Sequence, residues 1–363
     1  MPSPKLDIAR LRMHAGHLTG SRCATAAEVV RELGAVQAQD FAGAKWGVAQ
    51  RTTAMLDRDV ERAFETGEIL RTHVLRPTWH FVVPADLRWL LALSAPRVKQ
   101  AMATYDRKLA LDERTYARSN HAIAEALAGG NHLTRNELAR VLAKIKIDAL
   151  SQRLGHLMMR AELDAVICSG PRRGKQMTYA LISERCAPAP ALDRDDALGK
   201  LARRYIASHG PAVVHDFAWW SGLTITDAKR GLELARPTLA SAVVDERTYW
   251  FTEPLPPAAS KQPVVHLLPN YDEYMVAYKY RSAASDASLA TTLDARGNLL
   301  FNNLVVLNGQ PIGIWRRTVV RAAVTVTATL ATTLARPAQR ALDAAVDQFG
   351  VFLGVPARLA PLP

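Results

Sequence analysis

Cysteine is scarce in this chain, and the few cysteines follow no recognisable spacing. Cys23, Cys168 and Cys186 stand alone, with no C-x-x-C pair and no histidine at metal-ligand spacing. A disulfide framework requires paired cysteines, and a structural zinc site requires clustered thiolates or imidazoles. The sequence therefore predicts a protein without disulfides and without a bound metal.

Long apolar runs are also missing. Stretches such as Leu87–Leu93 are far shorter than the ~20 residues that a transmembrane helix needs. Residues 1–20 have a partly basic, amphipathic pattern but lack the apolar segment and small-residue cleavage site of a secretory signal. We therefore expect a cytoplasmic protein with no membrane partner.

Several familiar catalytic signatures are absent. The chain contains no G-x-S-x-G, no H-E-x-x-H, no P-loop and no G-x-G-x-x-G followed by an acidic residue. These absences disfavour the common hydrolase, zinc-protease and nucleotide-dependent chemistries. No cofactor is predicted.

Positive charge, by contrast, is in excess. Lys and Arg number 46 against 34 Asp and Glu, which gives a formal net charge of +12 and a pI of about 9.8. Binding to a polyanion is favoured by counterion release from its phosphates, so nucleic acid is the first candidate partner. A chain rich in alanine and arginine is also basic simply through the composition of its genome, so charge alone does not decide.

The N-terminal part of the chain has the pattern of helices followed by a hairpin. Its predicted elements are helices at Leu6–Leu18, Ala24–Leu33, Ala42–Arg51 (with Asp40 as N-cap) and Asp57–Thr66, and strands at Ile69–Leu75 and Thr78–Val83. This order is typical of a winged-helix unit.

The same order recurs twice further along the chain. In the second set, Thr134 and Glu137 predict a capping box, and strands at Ala165–Ser169 and Gln176–Ile182 are joined by the basic turn Gly170–Lys175. A third set starts near Asp195 and again ends in two strands. Three similar units in tandem are therefore predicted.

Beyond Gln262 the pattern changes to extended apolar runs, among them Val319–Leu330, closed by a helix over Pro337–Phe352. We predict an α+β fold of three tandem winged-helix units with a C-terminal β-rich domain. The predicted domains are 1–120, 121–190, 191–260 and 261–363, with a loop at Ser282–Gly297.

Two glutamines lie between the second and third predicted helices. Gly34 suits the left-handed position after a helix, so Gln37 and Gln39 should lie on non-helical backbone. Residues two apart point to the same side of an extended segment, so the amides would converge while Val36 and Ala38 face the core. Each amide offers two donors and an acceptor, enough to hold a water or contact a sugar. The spacing alone favours the simpler interpretation of two solvated glutamines at a helix end.

Segments spread over nearly the whole chain resemble the AlkZ/YcaQ-like family of winged-helix DNA glycosylases. They are GAVQAQDF (Gly34–Phe41), LRPTWHFVVPADLRWLLAL (Leu75–Leu93), SGPRRGKQMTYALI (Ser169–Ile182), LLPNYDEYMVAYKYR (Leu267–Arg281) and GIWRR (Gly313–Arg317). Members of that family excise N-alkylated purines, unhook interstrand crosslinks or protect producers of DNA-alkylating antibiotics. The resemblance implies three winged helices, a C-terminal β-domain and a catalytic Q-Φ-Q motif.

Gln37-Ala38-Gln39 matches that motif, with a small central residue, and the second glutamine resembles the self-resistance branch of the family. The resemblance implies a monofunctional glycosylase that hydrolyses the N-glycosidic bond of cationic N-alkylated purines, leaving an abasic site. Its substrates would include bulky adducts or interstrand crosslinks of a genotoxic natural product. A cationic purine is a good leaving group, so positioning and electrostatics suffice without a strong general acid.

We assign Gln39 to the attacking water and Gln37 to the water or the deoxyribose. Lys45 lies close enough in sequence to leave a lyase activity open.

Basic residues on the predicted hairpins are candidates for contact with DNA. Three cations at one turn tip repel each other unless a polyanion or water screens them. The candidates of the second hairpin are Arg172, Arg173, Lys175 and Gln176. Those of the first hairpin are Arg71, His73, Arg76 and His80, which fit a role in packing equally well.

The competing interpretation is a non-enzymatic winged-helix transcription regulator that reads DNA sequence and senses a ligand. Such regulators commonly bind palindromes as dimers, whereas three units in one chain fit a monomer. We expect a nucleoid-associated monomer whose partner is double-stranded DNA with alkylated purines.

Overall fold

The computed structural model describes residues 6–256, 262–284, 292–293, 298–320 and 322–361. These residues form an α+β protein, as predicted. Most of the predicted loop Ser282–Gly297 lies outside the described residues. No helix in the described ranges is long and apolar enough to cross a membrane.

Helices dominate the first two thirds of the chain and strands the last third. The helices are α1 (Ile8–Ala15), α2 (Ala26–Leu33), α3 (Phe41–Ala49), α4 (Asp57–Thr66), α5 (Pro84–Lys108), α6 (Glu113–Leu127), α7 (Arg135–Lys144), α8 (Ser151–Leu163), α9 (Ile182–Arg185), α10 (Arg194–His209), α11 (Val214–Ser221), α12 (Ile225–Ala235), α13 (Glu273–Val276) and α14 (Arg336–Leu353). The strands are β1 (Val36–Gln37), β2 (Leu70–Val74), β3 (Arg76–Val82), β4 (Leu133–Thr134), β5 (Ile167–Ser169), β6 (Thr178–Leu181), β7 (Ala240–Val244), β8 (Arg247–Phe251), β9 (Val265–Leu268), β10 (Leu304–Leu307), β11 (Gln310–Val320), β12 (Ala323–Leu330) and β13 (Ala357–Leu359).

Local capping signals fix several helix starts at the predicted residues. The Asp40 carboxylate accepts a hydrogen bond from Gly43 N–H and begins α3. Thr134 and Glu137 form the predicted capping box of α7. Both devices satisfy N–H groups that a helix start leaves without partners. Helix α4 has the predicted bounds, Asp57–Thr66.

The same order of helix, short strand, two helices and hairpin occurs three times. The first sheet has the order β1-β3-β2 and the second the order β4-β6-β5. In the third, Ala212 pairs with Trp250 on β8, and β8 pairs with β7. The C-terminal sheet has the order β13-β12-β11-β10-β9, and Phe349 of α14 packs in the same core as Trp315 of this sheet.

The structure adds detail to two of the predicted segments. Residue 120, the predicted end of the first domain, lies inside α6, whose Ile123 and Leu127 share a core with α7 and α8. The predicted extended run Val319–Leu330 coincides with the end of β11 at Val320 and with β12, which starts at Ala323.

The predicted domains do not have separate cores. Leu90 of α5 packs in one cluster with Tyr205 and Trp220 of the third unit. Trp46 of α3 packs in another with Trp315 and the other residues of the C-terminal sheet. The first unit therefore lies between the third unit and the C-terminal sheet, and both hold the segment that carries Gln37.

Two buried histidines predict a loss of stability in acid. Burial lowers the pKa of His266 to about 3, and burial together with Arg76 lowers the pKa of His80 well below its ordinary value. In the unfolded chain both would titrate at about 6.5, so as pH falls below that value the unfolded state binds protons that the native state does not. At pH 5 the shifted pKa of His266 should lower the free energy of unfolding by about 2 kcal/mol, and the lowered pKa of His80 should add to this loss.

Urea unfolding at pH 7.5 and pH 5 measures this loss. A His266→Gln variant should lose less stability between the two pH values than the wild type, while a variant of the exposed His121 should behave like the wild type. Equal pH dependence in all three proteins would contradict the prediction.

Candidate active site

Gln37 lies on the short strand β1, at the edge of the first sheet. Gly34 ends α2 with a φ of 81° and leads the chain into the extended segment. Val36 and Ala38 are buried in the core, which confirms their predicted direction. Gln37 stands opposite His80 on β3, so both side chains lie on one face of the sheet.

The side chain of Gln37 is almost enclosed, with 6% of the residue exposed. Its amide oxygen Oε1 accepts a hydrogen bond of 2.7 Å from the guanidinium of Arg76, the first residue of β3. Its backbone N–H donates to Oε1 of Glu273 over 2.6 Å. The position of Gln37 therefore depends on segments distant in sequence.

Two buried carboxylates at the start of α13 support this arrangement. Oε2 of Glu273 accepts a hydrogen bond of 3.0 Å from the indole N–H of Trp220. Asp272 caps α13 and accepts hydrogen bonds of 2.9 and 2.8 Å from Arg51. Burial alone would lower the pKa of Arg51, but the charge of Asp272 raises it above its ordinary value. These two carboxylates were not identified from the sequence as support for Gln37. The local signal for them is the acidic pair Asp272-Glu273, which stands among aromatic and aliphatic residues.

Gln39, unlike Gln37, is exposed. Its Oε1 accepts a long hydrogen bond of 3.4 Å from the backbone N–H of Trp79, and the neighbouring Ala38 N–H donates to the Trp79 carbonyl over 2.7 Å. Both glutamines are thus attached to residues of β3, one from a buried position and one from the surface. Solvent therefore reaches Gln39 directly.

Arg71 and His73 contact other residues of the protein next to the two glutamines. The Arg71 guanidinium donates to the Ala38 carbonyl over 2.9 Å and lies 4.3 Å from the centroid of the Trp79 ring. The His73 ring lies 4.5 Å from the same indole, and its Nδ1 contacts the buried carboxylate of Glu162. In this structure both side chains hold the glutamine segment and Trp79 in place.

His80 is fully buried, so it cannot contact a phosphate as the sequence analysis proposed. Its Nδ1 lies 2.9 Å from the Thr78 carbonyl, and since a carbonyl only accepts, Nδ1 carries the proton. Burial, reinforced by the charge of Arg76, lowers the pKa of His80 and keeps the ring neutral. The assignment to DNA contact is therefore replaced by a role in packing beneath Gln37.

The second hairpin has the predicted form, but its cations are less free than expected. The side chain of Arg172 is 20% exposed and donates to both oxygens of Glu61 over 3.0 and 3.1 Å. Arg173 is 55% exposed and bonds Glu137 over 2.7 Å. Lys175 and Gln176 are exposed at the turn, and no carboxylate of the described residues pairs with Lys175. Glu61 and Glu137 thus already reduce the predicted repulsion between the cations at the tip of this hairpin.

Lys45, considered above as a lyase nucleophile, is buried between two carboxylates. Its Nζ lies 2.9 Å from Asp57 and 2.6 Å from Glu61. Both ion pairs occupy the ammonium group, so it is not free to act as a nucleophile. In the described part of the chain, no group of three or more His, Cys, Asp or Glu side chains is placed to hold a metal ion.

An exposed tryptophan borders the site. Trp219 and Trp220 are neighbours at the end of α11, and Trp220 is fully buried. Trp219 is 41% exposed, with its indole N–H bonded to the Val276 carbonyl over 3.0 Å. The guanidinium groups of Arg76 and Arg281 lie 5.9 and 5.6 Å from its ring centroid. This aromatic surface therefore adjoins the arginine that contacts Gln37.

Comparison with known proteins identifies the family. A model of AlkZ-like DNA glycosylases matches residues 30–352, which include both glutamines, the first hairpin and α13. The chain belongs to the AlkZ-like DNA glycosylase family. It is therefore an enzyme of the class that acts on N-glycosyl bonds.

One relative of this AlkZ-like glycosylase is an interstrand DNA cross-link repair glycosylase of Streptomyces sahachiroi. The two are 25% identical over 312 residues, covering 80% of this chain and 82% of the relative. The structure of the Streptomyces sahachiroi DNA glycosylase AlkZ superimposes with a TM-score of 0.77 and 22% identity, covering 98% of both chains. The AlkZ-like chain therefore shares the fold of that enzyme over nearly its full length.

The chemistry available to this AlkZ-like site is that of an amide pair. Amides do not titrate in the physiological range and provide no strong base, but they hold water and sugar oxygens in fixed geometry. The guanidinium of Arg76 and the neutral ring of His80 complete the polar surroundings of Gln37.

Proposed function

We propose that this AlkZ-like glycosylase hydrolyses the N-glycosidic bond of cationic N-alkylated purines in double-stranded DNA and leaves an abasic site. Bulky adducts and interstrand crosslinks of a genotoxic natural product belong to the proposed substrates, a choice supported by the name of the Streptomyces sahachiroi relative. The observation that carries the proposal is the fixed amide pair, with Gln37 held by Arg76 and Gln39 reachable from solvent.

The chemistry fits an amide pair because the lesion itself provides the activation. Alkylation at N7 or N3 gives the purine a positive charge, which the departing base neutralises as it takes the bonding electrons. The protein then has to place a water against C1′ and stabilise an oxocarbenium-like transition state. Gln39 and Gln37 are the proposed catalytic residues, with Gln39 on the water.

A monofunctional reaction is part of the proposal. A lyase needs an unprotonated amine that can attack C1′. The amine closest in sequence to the motif, Lys45, is engaged by Asp57 and Glu61. Hydrolysis without strand cleavage is therefore the expected outcome.

We also propose that the three repeated units are winged helices that place the site on DNA. Support comes from the recurring strand order of their sheets, in which the first, short strand pairs with the last strand of the hairpin. In such units a helix enters a groove while the hairpin lies along the backbone. The turn of the second hairpin, Arg172–Gln176, is our candidate for a backbone contact, together with Arg71 and His73 if DNA binding releases them from their present partners.

Charge neutralisation at this turn should change the salt dependence of binding. Each lost phosphate contact should reduce the slope of log affinity against log salt by roughly 0.9, on damaged and undamaged duplexes alike. We expect this for Arg173→Ala and Lys175→Ala, whose side chains are exposed. Arg172→Ala should reduce the slope less, because Glu61 already occupies that guanidinium. An unchanged slope in the Arg173→Ala/Lys175→Ala double variant would show that the turn is merely solvated.

The proposed substrate class is tested with duplexes that differ in one base. We expect base release from 7-methylguanine and 3-methyladenine, which are cationic, and none from O6-methylguanine or 1,N6-ethenoadenine, which are neutral. EDTA should leave release unchanged. Release of the neutral bases at comparable rates would refute the leaving-group argument. Sequence-selective binding without release would instead favour the transcription-regulator alternative.

A further inference from the structure

We propose that Arg76 is a positioning residue, which fixes the amide of Gln37 so that its Nε2 hydrogens, and not its oxygen, face the substrate. This inference rests on the proposed function and assigns Arg76 a role other than the DNA contact suggested by its charge. The feature that carries it is the hydrogen bond from the Arg76 guanidinium to Gln37 Oε1, 2.7 Å long.

The orientation of the amide follows from which atoms can donate. A guanidinium has five N–H donors and no acceptor, so the Gln37 atom that faces it must be the oxygen. Rotating the amide by half a turn would place two N–H groups against each other. Arg76 therefore determines the orientation of the Gln37 amide.

The opposite end of the amide is open. Gln37 Nε2 has no hydrogen-bond partner among the described residues. It is not one of the fully buried polar atoms that lack a partner, so solvent can reach it. The group that reaches the surface of this otherwise enclosed side chain is thus a donor. A donor can bind the oxygen of a water, of the deoxyribose or of a phosphate.

Arg76 is itself held firmly in place. It follows Leu75, the one residue that connects β2 and β3, whose φ of 63° is left-handed and unusual for a leucine. The Leu75 N–H donates to Ser94 Oγ over 3.0 Å, and the backbone of Gly222 packs so closely that a Cβ there would lie 2.2 Å from the Leu75 carbonyl oxygen. Such support is what a positioning residue requires.

The charge of Arg76 has a counterpart within the site. Burial lowers the pKa of Arg76 from its ordinary value, and the nearby carboxylate of Glu273 opposes that shift. Glu273 in turn accepts the backbone N–H of Gln37. Arg76 and Glu273 thus hold the same glutamine by its side chain and by its main chain.

Roles for the two glutamines follow from this geometry. Gln39, whose Oε1 makes only the long contact with Trp79, keeps an oxygen free to accept a hydrogen bond from the attacking water. Gln37 donates a hydrogen bond to the oxygen of the same water. A matched donor and acceptor orient a water more closely than two identical groups would.

The test is a double-mutant cycle on single-turnover excision of 7-methylguanine from a duplex. Arg76→Ala should slow excision on the order of tenfold or more in the wild type but have no further effect in the Gln37→Ala background, because it acts only through Gln37. Arg76→Lys retains one donor and should recover part of the rate. The salt slope of DNA binding should stay unchanged, which a lost phosphate contact would not allow.

Arg97→Ala is the matched control. Arg97 is exposed and lines the same cavity of about 390 Å³ as Arg76, but it makes no hydrogen bond to Gln37. If excision by Gln37→Ala is too slow to measure, the same double-mutant cycle uses DNA affinity instead. The measured quantity is then the affinity for a duplex with a cationic pyrrolidine abasic-site mimic, divided by the affinity for a duplex with the uncharged tetrahydrofuran mimic. Urea unfolding confirms that each variant is folded.

The outcomes separate this inference from the proposed function. Wild-type excision by Arg76→Ala, or equal losses from Arg76→Ala in both backgrounds, would overturn the positioning role while leaving the catalytic glutamines in place. A shallower salt slope would assign Arg76 to a phosphate instead. Wild-type excision by Gln37→Ala would refute the catalytic role of Gln37 itself.

Discussion

Replacing Gln39 with alanine should lower single-turnover excision of 7-methylguanine at least on the order of a hundredfold, the scale of a lost positioned catalytic group. Gln37→Ala should cost a similar factor. Each variant removes an amide that holds the water or the sugar, while the cationic base still leaves at its uncatalysed rate. The small central residue Ala38 stays in the core in both variants, so the segment should keep its conformation.

DNA binding should persist in both variants, because phosphate contacts elsewhere provide most of the affinity. The rate of excision is measured by quenching the reaction at successive times with enzyme in excess over DNA. Affinity is measured by fluorescence anisotropy on the same duplex. Gln100→Ala is the control, since Gln100 is an exposed glutamine lining the cavity next to Arg76. Wild-type rates in both Gln37→Ala and Gln39→Ala would remove the catalytic assignment.

The second large effect is on stability. Asp272→Asn should lower the free energy of unfolding by about 3–5 kcal/mol, because it leaves the Arg51 charge buried without its counterion. Arg51 and Asp272 are both almost fully buried and joined by two hydrogen bonds. Arg51 also donates to the carbonyls of Gly16 and Gly47, so it cannot turn toward solvent without breaking further contacts.

Urea unfolding of Asp272→Asn measures this cost. Asp195→Asn is the matched control, since Asp195 pairs with Arg230 on the exposed surface, where ion pairs contribute little. Its unfolding midpoint should equal that of the wild type. A midpoint of Asp272→Asn equal to that of the wild type would show that the buried pair does not stabilise the fold.

Elements with strong local signals could be predicted from the sequence. Helix α4 begins and ends where its acidic first turn and Gly67 indicate, and Gly67 is left-handed. The long α5 was missed because its first residues, Pro84 onward, follow directly on β3, and its interior contains Pro96. Its apolar residues pack against other units, which a single-segment pattern does not reveal.

The candidate site was predictable in its residues but not in its partners. The two-residue spacing and the Q-Φ-Q resemblance identified Gln37 and Gln39. The contact between Gln37 and Glu273 joins positions 236 residues apart, and that between Glu61 and Arg172 joins positions 111 residues apart. Local periodicity contains no information on such pairings, so the internal partners of these residues could not be predicted from the sequence.

The central claim is that this AlkZ-like chain releases a cationic purine by hydrolysis, and one measurement tests it most directly. A duplex with a single 7-methylguanine is incubated with excess protein in EDTA, and both the released base and the DNA strand are analysed. The account predicts free 7-methylguanine in an amount equal to the abasic strands, which stay intact until alkali cleaves them. A duplex that is bound but keeps its 7-methylguanine would contradict the account.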